Sequence, residues 1–85
     1  MATSRRQRRV AELLQKELGD LLQHTIADPR LRLVSVTWVD VSPDLLEARV
    51  FVSHLGDPAQ NDEVVHALEH AAGYLRHELA ERVRL

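Results

Sequence analysis

The chain has 85 residues, of which 45% are hydrophobic and 28% are charged, and its formal net charge at pH 7 is −2. A chain of this length and composition forms one small domain with a modest core. It contains no cysteine, which excludes disulfides and thiolate sites, and its apolar runs are too short to span a bilayer. We therefore expect a single domain over residues 1–85, in the cytoplasm, with no signal peptide and no membrane contact.

The first predicted element is an amphipathic helix over about residues 6–26. Its apolar side chains recur at helical spacing, at Val10, Leu13, Leu14, Leu18, Leu21 and Leu22. Thr3 or Ser4 is expected to cap its N-terminus. The helix is expected to end before Pro29, because proline restricts the residue that precedes it.

Four arginines open this helix, at Arg5, Arg6, Arg8 and Arg9. Positive side chains are unfavourable there, because the N-terminal end of a helix dipole is itself positive. The clustering is compatible with a solvated helix end. It also predicts a phosphate-binding surface, since arginine holds phosphate oxygens with paired hydrogen bonds.

Two strands are predicted next, over about residues 33–41 and 46–53, and Ser42-Pro43-Asp44 predicts a hairpin turn between them. In the second strand the apolar residues alternate with polar ones, which predicts one face packed on helices, formed by Leu46, Ala48, Val50 and Val52. The first strand does not alternate cleanly. We interpret it as a central strand with apolar cover on parts of both faces. Trp38 and Phe51 could stack on unpaired bases if they were exposed, but core packing is favoured in so small a domain.

Two further helices are predicted, over about residues 60–72 and 73–82. The first begins at Asp57-Pro58 or at Asn61-Asp62, since both pairs offer capping chemistry. The apolar stripe stays in phase through Gly73, so the break there is expected to be a bend between the two helices. Arg76 and His77 follow within one turn of the glycine.

The titratable residues form no recognisable catalytic motif. His66 and His70 are one helical turn apart, but a solvated pair is favoured over a zinc site because the sequence offers no evident third ligand. The sequence contains no Walker A loop, no Rossmann glycine fingerprint and no nucleophile elbow. We therefore expect no enzymatic activity, no metal and no cofactor.

Four segments, in this order and spacing, resemble the ribosome-binding factor A family: 28–31 (DPRL), 36–45 (VTWVDVSPDL), 48–53 (ARVFVS) and 71–76 (AAGYLR). The resemblance implies an α+β, type II KH-like domain in the order helix, strand, strand, helix and kinked helix. Ala71, Ala72 and Gly73 would form the interhelical kink in place of the usual G-x-x-G loop. Family members continue with a third strand, which is expected to be truncated or absent here.

The resemblance also implies a bacterial assembly factor that binds the small (30S) ribosomal subunit and its RNA. Such a factor assists late maturation and processing of the RNA 5′ end, and it matters most in the cold. We expect a monomer whose RNA-binding residues are Arg5, Arg6, Arg8, Arg9, Arg30, Arg76 and His77. The alternative is a non-catalytic interaction module or homodimer without nucleic-acid binding, which the isoelectric point near 6.2 and an open sheet edge favour.

Overall fold

The computed structural model describes residues 3–83, which form two helices and one small sheet. The elements are helix α1 (Arg5–Asp20), a π-type turn (Leu21–Thr25), a 3-10 turn (Pro29–Leu31), strands β1 (Val34–Val41) and β2 (Ala48–His54), a second 3-10 turn (Pro58–Gln60) and helix α2 (Asn61–Arg82). The strands pair antiparallel. The predicted α+β class is confirmed, and residues 3–83 contain no third strand.

Helix α1 begins with a capping box at Ser4. The backbone N–H of Gln7 donates to Ser4 Oγ at 3.1 Å, and the backbone N–H of Ser4 donates to Gln7 Oε1 at 2.9 Å. At its other end the helix widens into the π-type turn, where the Ile26 N–H donates to the Leu21 carbonyl at 3.0 Å. This turn carries two consecutive buried leucines, Leu21 and Leu22.

A β-bulge in β1 explains why its apolar residues do not alternate. Val36 pairs with Val52 and Trp38 pairs with Phe51, which leaves Thr37 as the extra residue. An extra residue exchanges the two faces of a strand, so the valines on either side of the bulge all pack into the core, at Val34, Val36, Val39 and Val41. Trp38 is turned to the other face. The expectation that Trp38 and Phe51 lie in the core was therefore wrong.

Strand β2 is an edge strand that the helices leave uncovered. All residues from 48 to 53 are exposed, because α1 packs along β1 and not along β2. The expectation that the face of Leu46, Ala48, Val50 and Val52 packs on helices was therefore wrong. Val52 is 37% exposed and Leu46 is 82% exposed. Among residues 3–83, the outer edge of β2 pairs with no other strand.

Helix α2 is one continuous helix of 22 residues, so the predicted division into helices 60–72 and 73–82 was wrong. Of the two predicted capping sites, only Asp57 forms a side-chain cap, while Gln60 stands at the N-cap of the α-helix without a capping hydrogen bond. Asp57 Oδ1 accepts from the Ala59 N–H at 2.9 Å and caps the 3-10 turn, and the α-helix then starts at Asn61. Gly73 does not have a positive φ. The roughly 1 kcal/mol that an interior glycine costs is offset by the apolar stripe, which continues on both sides of it.

The core has two parts that meet at Val36. The first part packs the beginning of α2 against the end of the α1 segment and the start of β1, through Leu22, Leu31, Val34, Val64 and Ala67. The second packs the middle of α1 against the rest of β1, through Val10, Leu18, Val39 and Val41. Leu75 and Leu79, beyond Gly73, pack against this second part. The uninterrupted helix α2 therefore packs against both parts of the core.

Candidate nucleic-acid interface

The four arginines at the start of α1 are exposed, and the first turn holds no acidic side chain that would compensate them. Among residues 3–83, none of these arginines forms an ion pair with an acidic side chain. Their charges add to the positive end of the helix dipole. This clustering of positive charge slightly lowers the stability of the folded state and favours the binding of an external anion.

Two glutamines determine which side of α1 faces outward. Gln7 Nε2 donates to the Val41 carbonyl at 2.9 Å, and Gln15 Nε2 lies 3.4 Å from the carbonyls of Val36 and Thr37. The Val36 and Val41 carbonyls belong to the edge of β1 that faces away from β2, because hydrogen-bonded and non-hydrogen-bonded pairs alternate along the ladder. Helix α1 thus lies antiparallel to β1 along this edge.

Neither glutamine contact was predicted from the sequence. The available signal was their spacing of eight residues, which places two amide donors on nearly one face of the helix. With that face held against β1, Arg8 lies beside Trp38 and Asp40 of β1, and the four arginines remain exposed.

Arg30 forms an ion pair with Asp28, which makes its guanidinium less available to bind phosphate. Arg30 Nη2 donates to Asp28 Oδ2 at 2.7 Å, and Arg30 Nε lies 3.1 Å from Asp28 Oδ1. These hydrogen bonds lower the pKa of Asp28 and raise that of Arg30, so the pair stays charged but largely compensated. Arg30 also lines a shallow depression on α2 with His66, Glu69 and His70.

Gly73 lies on an exposed stripe of α2 between histidines. His66, His70, Gly73 and His77 follow one another at spacings of four, three and four residues, and all four are exposed. A Cβ atom added at Gly73 would meet no atom within 4 Å. The glycine therefore leaves a gap in the outer surface of α2, with exposed Arg76 beside it, while half-buried Ala71 and Ala72 lie on the inner side.

The predicted RNA-binding residues do not converge on one pocket. The α1 arginines lie near the end of β1, as the bond between Gln7 and Val41 shows, whereas Arg30 precedes the start of β1. Eight strand residues separate these ends, which is roughly 25 Å. Arg76 and His77 are carried by the second half of α2, next to Leu75, which packs against the part of the core that contains Val10 and Val41.

Neither a metal centre nor a membrane segment is found in the part of the chain that the structure describes. Between residues 3 and 83, no group of three or more histidine, aspartate or glutamate side chains is arranged to hold a metal ion. In the same range, neither helix combines the length and the apolar character that a bilayer span requires.

The family model described as ribosome-binding factor A matches residues 6–85. The chain belongs to the ribosome-binding factor A family. Three similar curated proteins carry the name Ribosome-binding factor A. The protein of Nitrosococcus oceani is 49% identical over 80 residues, covering 94% of this chain and 63% of that protein. The protein of Synechococcus sp. (strain CC9311) is 49% identical over 87 residues, covering 100% and 65%. The protein of Halothermothrix orenii is 46% identical over 80 residues, covering 94% and 66%.

The chain thus spans slightly less than two thirds of the length of these relatives. It is also similar in structure to the crystal structure of ribosome-binding factor A from Thermus thermophilus. The TM-score is 0.81 at 29% sequence identity, covering 93% of this chain and 83% of that chain. The family resemblance that the four sequence segments indicate is confirmed.

The segments that carry the ribosome-binding factor A resemblance fall on distinct parts of the fold. Residues 36–45 form the bulged half of β1 and the hairpin turn, and residues 48–53 form most of β2. Residues 71–76 lie inside α2, where they place Gly73 and Arg76 on the outer surface.

Proposed function

We propose that this chain is a ribosome assembly factor that binds the small (30S) ribosomal subunit through its ribosomal RNA. It acts in the cytoplasm as a monomer, assists late maturation and processing of the RNA 5′ end, and matters most in the cold. The domain is proposed to be of the type II KH-like class. The single observation that carries the proposal is membership of the ribosome-binding factor A family. The exposed arginine cluster on α1, whose first turn holds no acidic side chain, supports it.

The local charge supports an RNA partner more strongly than the net charge of −2 opposes it. Phosphate oxygens are strongly negative, and the exposed arginines of α1 offer several forked donors close together. Arg76 and His77 add donors on α2, and Gly73 allows a backbone to come close. We propose Arg5, Arg6, Arg8, Arg9, Arg76 and His77 as the main contacts, with Arg30 as a weaker one because Asp28 compensates its charge.

Such contacts would position the protein without reading base sequence, so selectivity would depend on the shape of the subunit and on unpaired bases. Binding would also release counterions from the RNA. Affinity should therefore fall steeply as the salt concentration rises.

The first experiment measures the affinity of Arg9→Gln and Arg76→Gln for purified small subunits at several salt concentrations. Each variant should bind more weakly and lower the slope of log affinity against log salt by about one, since one phosphate contact is lost. Arg32→Gln removes the same charge from an exposed position outside the proposed surface and should change neither quantity. Equal behaviour of all three variants would contradict the proposed interface.

A second experiment tests the role in assembly. The protein is pelleted with mature subunits and with immature subunits whose RNA still has an unprocessed 5′ end. Preference for the immature particles supports an assembly factor, and equal binding contradicts that part of the proposal. A tight dimer in sedimentation with no subunit binding would instead favour the interaction module, for which the open edge of β2 is the relevant feature.

A further inference from the structure

Trp38 and Phe51 form an exposed aromatic pair on the face of the sheet that the helices do not cover. The two residues are directly opposite each other on β1 and β2, and they are 62% and 44% exposed. Opposite residues of an antiparallel pair have their Cβ atoms only about 5 Å apart, so the two rings share one surface. Large aromatic side chains are normally the first to be buried, which makes two of them on an open face unusual.

The bulge at Thr37 keeps Trp38 on this face. Without the extra residue, the strand would continue its alternation and Trp38 would share a side with Val34 and Val36. The bulge is held from both sides. Thr37 Oγ1 donates to the Phe51 carbonyl at 3.1 Å, and Gln15 lies 3.4 Å from the Thr37 carbonyl. The face of the sheet on which the indole lies is therefore set by the backbone pairing.

Polar and charged residues frame the aromatic pair. Asp40 and Arg49 form the next cross-strand pair on the same face, and Ser35 and Ser53 form the pair beyond the bulge. On the α1 side, Trp38 lines a depression of about 220 Å³ together with Arg8, Glu12, Gln15 and Asp40, among other residues. This depression is smaller than the roughly 300–1,000 Å³ of a site for a drug-sized molecule, so it suits a single flat ring.

We propose that Trp38 and Phe51 are a stacking platform for unpaired bases of ribosomal RNA, flanked by Arg8 and Arg49. This inference rests on the proposed function and specifies that the exposed face of the sheet binds unpaired bases of the RNA. Any base can stack on an aromatic ring, and a neighbouring arginine can hold the adjoining phosphate. The carboxylates of Glu12 and Asp40 repel phosphate and accept hydrogen bonds from base amino groups, so they favour a base in the depression and the RNA backbone outside it.

The face fits bases better than it fits a second copy of this chain. A stable dimer buries about 800 Å² on each partner, with an apolar centre. Here the aromatic pair is bordered by serine, aspartate and arginine, so the apolar centre consists of two side chains. A base requires little more than one ring surface, which the pair provides.

The sequence contains a single tryptophan, so the tryptophan fluorescence, excited selectively over that of Tyr74, reports on Trp38 alone. The full chain is titrated with an eight-residue oligocytidylate and with an abasic ribose-phosphate octamer of the same charge. Stacking predicts that the base-bearing octamer quenches the fluorescence and that the abasic octamer does not. Equal quenching by both octamers, or none by either, would overturn the proposal.

Substitutions supply the second readout. Trp38→Ala should lower affinity for oligocytidylate about tenfold, within the range that base stacking on aromatic side chains produces. Trp38→Phe should retain most of the affinity. Val65→Ala removes an equally exposed apolar side chain from α2 and should leave affinity unchanged. Thermal unfolding of each variant separates loss of binding from loss of fold, and Phe51→Ala replaces Trp38→Ala should the latter unfold.

The outcomes separate this inference from the proposed function. If Arg9→Gln weakens subunit binding while Trp38→Ala and Phe51→Ala bind subunits and oligocytidylate normally, the platform is wrong and the function stands. If the unaltered chain does not bind subunits at all, the proposed function fails, and quenching by oligocytidylate alone would still support a base-stacking face. A wild-type dimer that Trp38→Ala converts to a monomer would show that a second copy occupies this face, which overturns the inference.

Discussion

Arg82 Nη1 donates a hydrogen bond of 2.7 Å to Asp20 Oδ2, across 62 residues of sequence. The same nitrogen lies 3.1 Å from Glu17 Oε2. These bonds fasten the C-terminal end of α2 to the C-terminal end of α1, where the negative ends of both helix dipoles lie near each other. A positive guanidinium at this place is therefore favourable for both helices.

The ion pair predicts an acid-dependent contribution to stability. Hydrogen bonds from Arg82 and then from His24 lower the pKa of Asp20 below its ordinary value of 3.8. A carboxyl whose pKa is lowered on folding stabilises the protein above its unfolded pKa, and this stabilisation is lost as the pH falls through the lower folded pKa. Arg82→Gln should therefore lower the urea midpoint by a constant amount between pH 6 and 8.

The difference between wild type and Arg82→Gln should shrink as the pH falls below 3.8, because protonated Asp20 no longer attracts the guanidinium. Arg32→Gln, at an exposed position outside this contact, serves as the control at each pH. A difference that persists unchanged down to pH 2 would show that Arg82 acts through packing and not through charge.

Gly73→Ala should make the protein more stable and its binding weaker. The position is helical and the added methyl meets open space, so α2 should gain about 1 kcal/mol in the free energy of unfolding. The same methyl would fill the gap in the proposed RNA-binding face of α2. Stability is measured by urea denaturation and binding by pelleting with small subunits.

Gly19→Ala is the matched control for Gly73→Ala. Gly19 is also helical, and a Cβ added there also meets no atom within 4 Å. We expect Gly19→Ala to stabilise the protein and to leave subunit binding unchanged. A loss of stability in Gly73→Ala would instead mean that the glycine is required for the path of α2.

The two strands should respond differently to the same deletion of two methyl groups. Val34→Ala removes part of a fully buried side chain and should cost about 2 kcal/mol. Val52→Ala, on the same side of the sheet but on uncovered β2, should cost well under 1 kcal/mol. Equal losses in chemical denaturation would mean that β2 is covered in solution.

Gln7 should contribute more to the free energy of unfolding than its partial exposure suggests. Gln7→Ala removes the acceptor for the Ser4 N–H and the bond to the Val41 carbonyl, while the backbone N–H of residue 7 still donates to Ser4 Oγ, so a loss of about 1–2 kcal/mol is expected. Gln23→Ala, at an exposed glutamine of the π-type turn, should have little effect. Thermal unfolding of both variants checks the difference, and equal melting temperatures would rule out a structural role for Gln7.

Helices α1 and α2 could be placed from the sequence because their evidence is local. The spacing of Val10, Leu18 and Leu22 marks one helical face, and Pro29 limits its extent. The α2 stripe from Val64 to Leu79 also recurs at helical spacing, although it separates apolar from polar residues less cleanly than α1 does. Gly73 was interpreted as a helix break because the local cost of glycine was weighed without the tertiary packing of Leu75 and Leu79, which carries the helix through it.

The sheet was harder to predict because its decisive features are relations between strands. The spacing of the β1 valines changes between Val36 and Val39, which signals an irregularity, but only the pairing with β2 identifies Thr37 as the extra residue. Alternation in β2 correctly separates its two faces, but it cannot say whether a helix lies over either. The cationic residues could be named from composition, whereas the compensation of Arg30 by Asp28 depends on side-chain geometry.

Between residues 3 and 83 no strand pairs with the outer edge of β2, and this open edge affects the solubility of the purified protein. Alternation along the ladder turns the main-chain N–H and C=O groups of Ala48, Val50 and Val52 away from β1, where they are free to accept another strand. The segment is rich in β-branched and aromatic residues, and Arg49 is the main charged residue in it that opposes strand-to-strand aggregation. Slow heating or high concentration should therefore drive growth of cross-β aggregates from this edge, and Val50→Lys should suppress them.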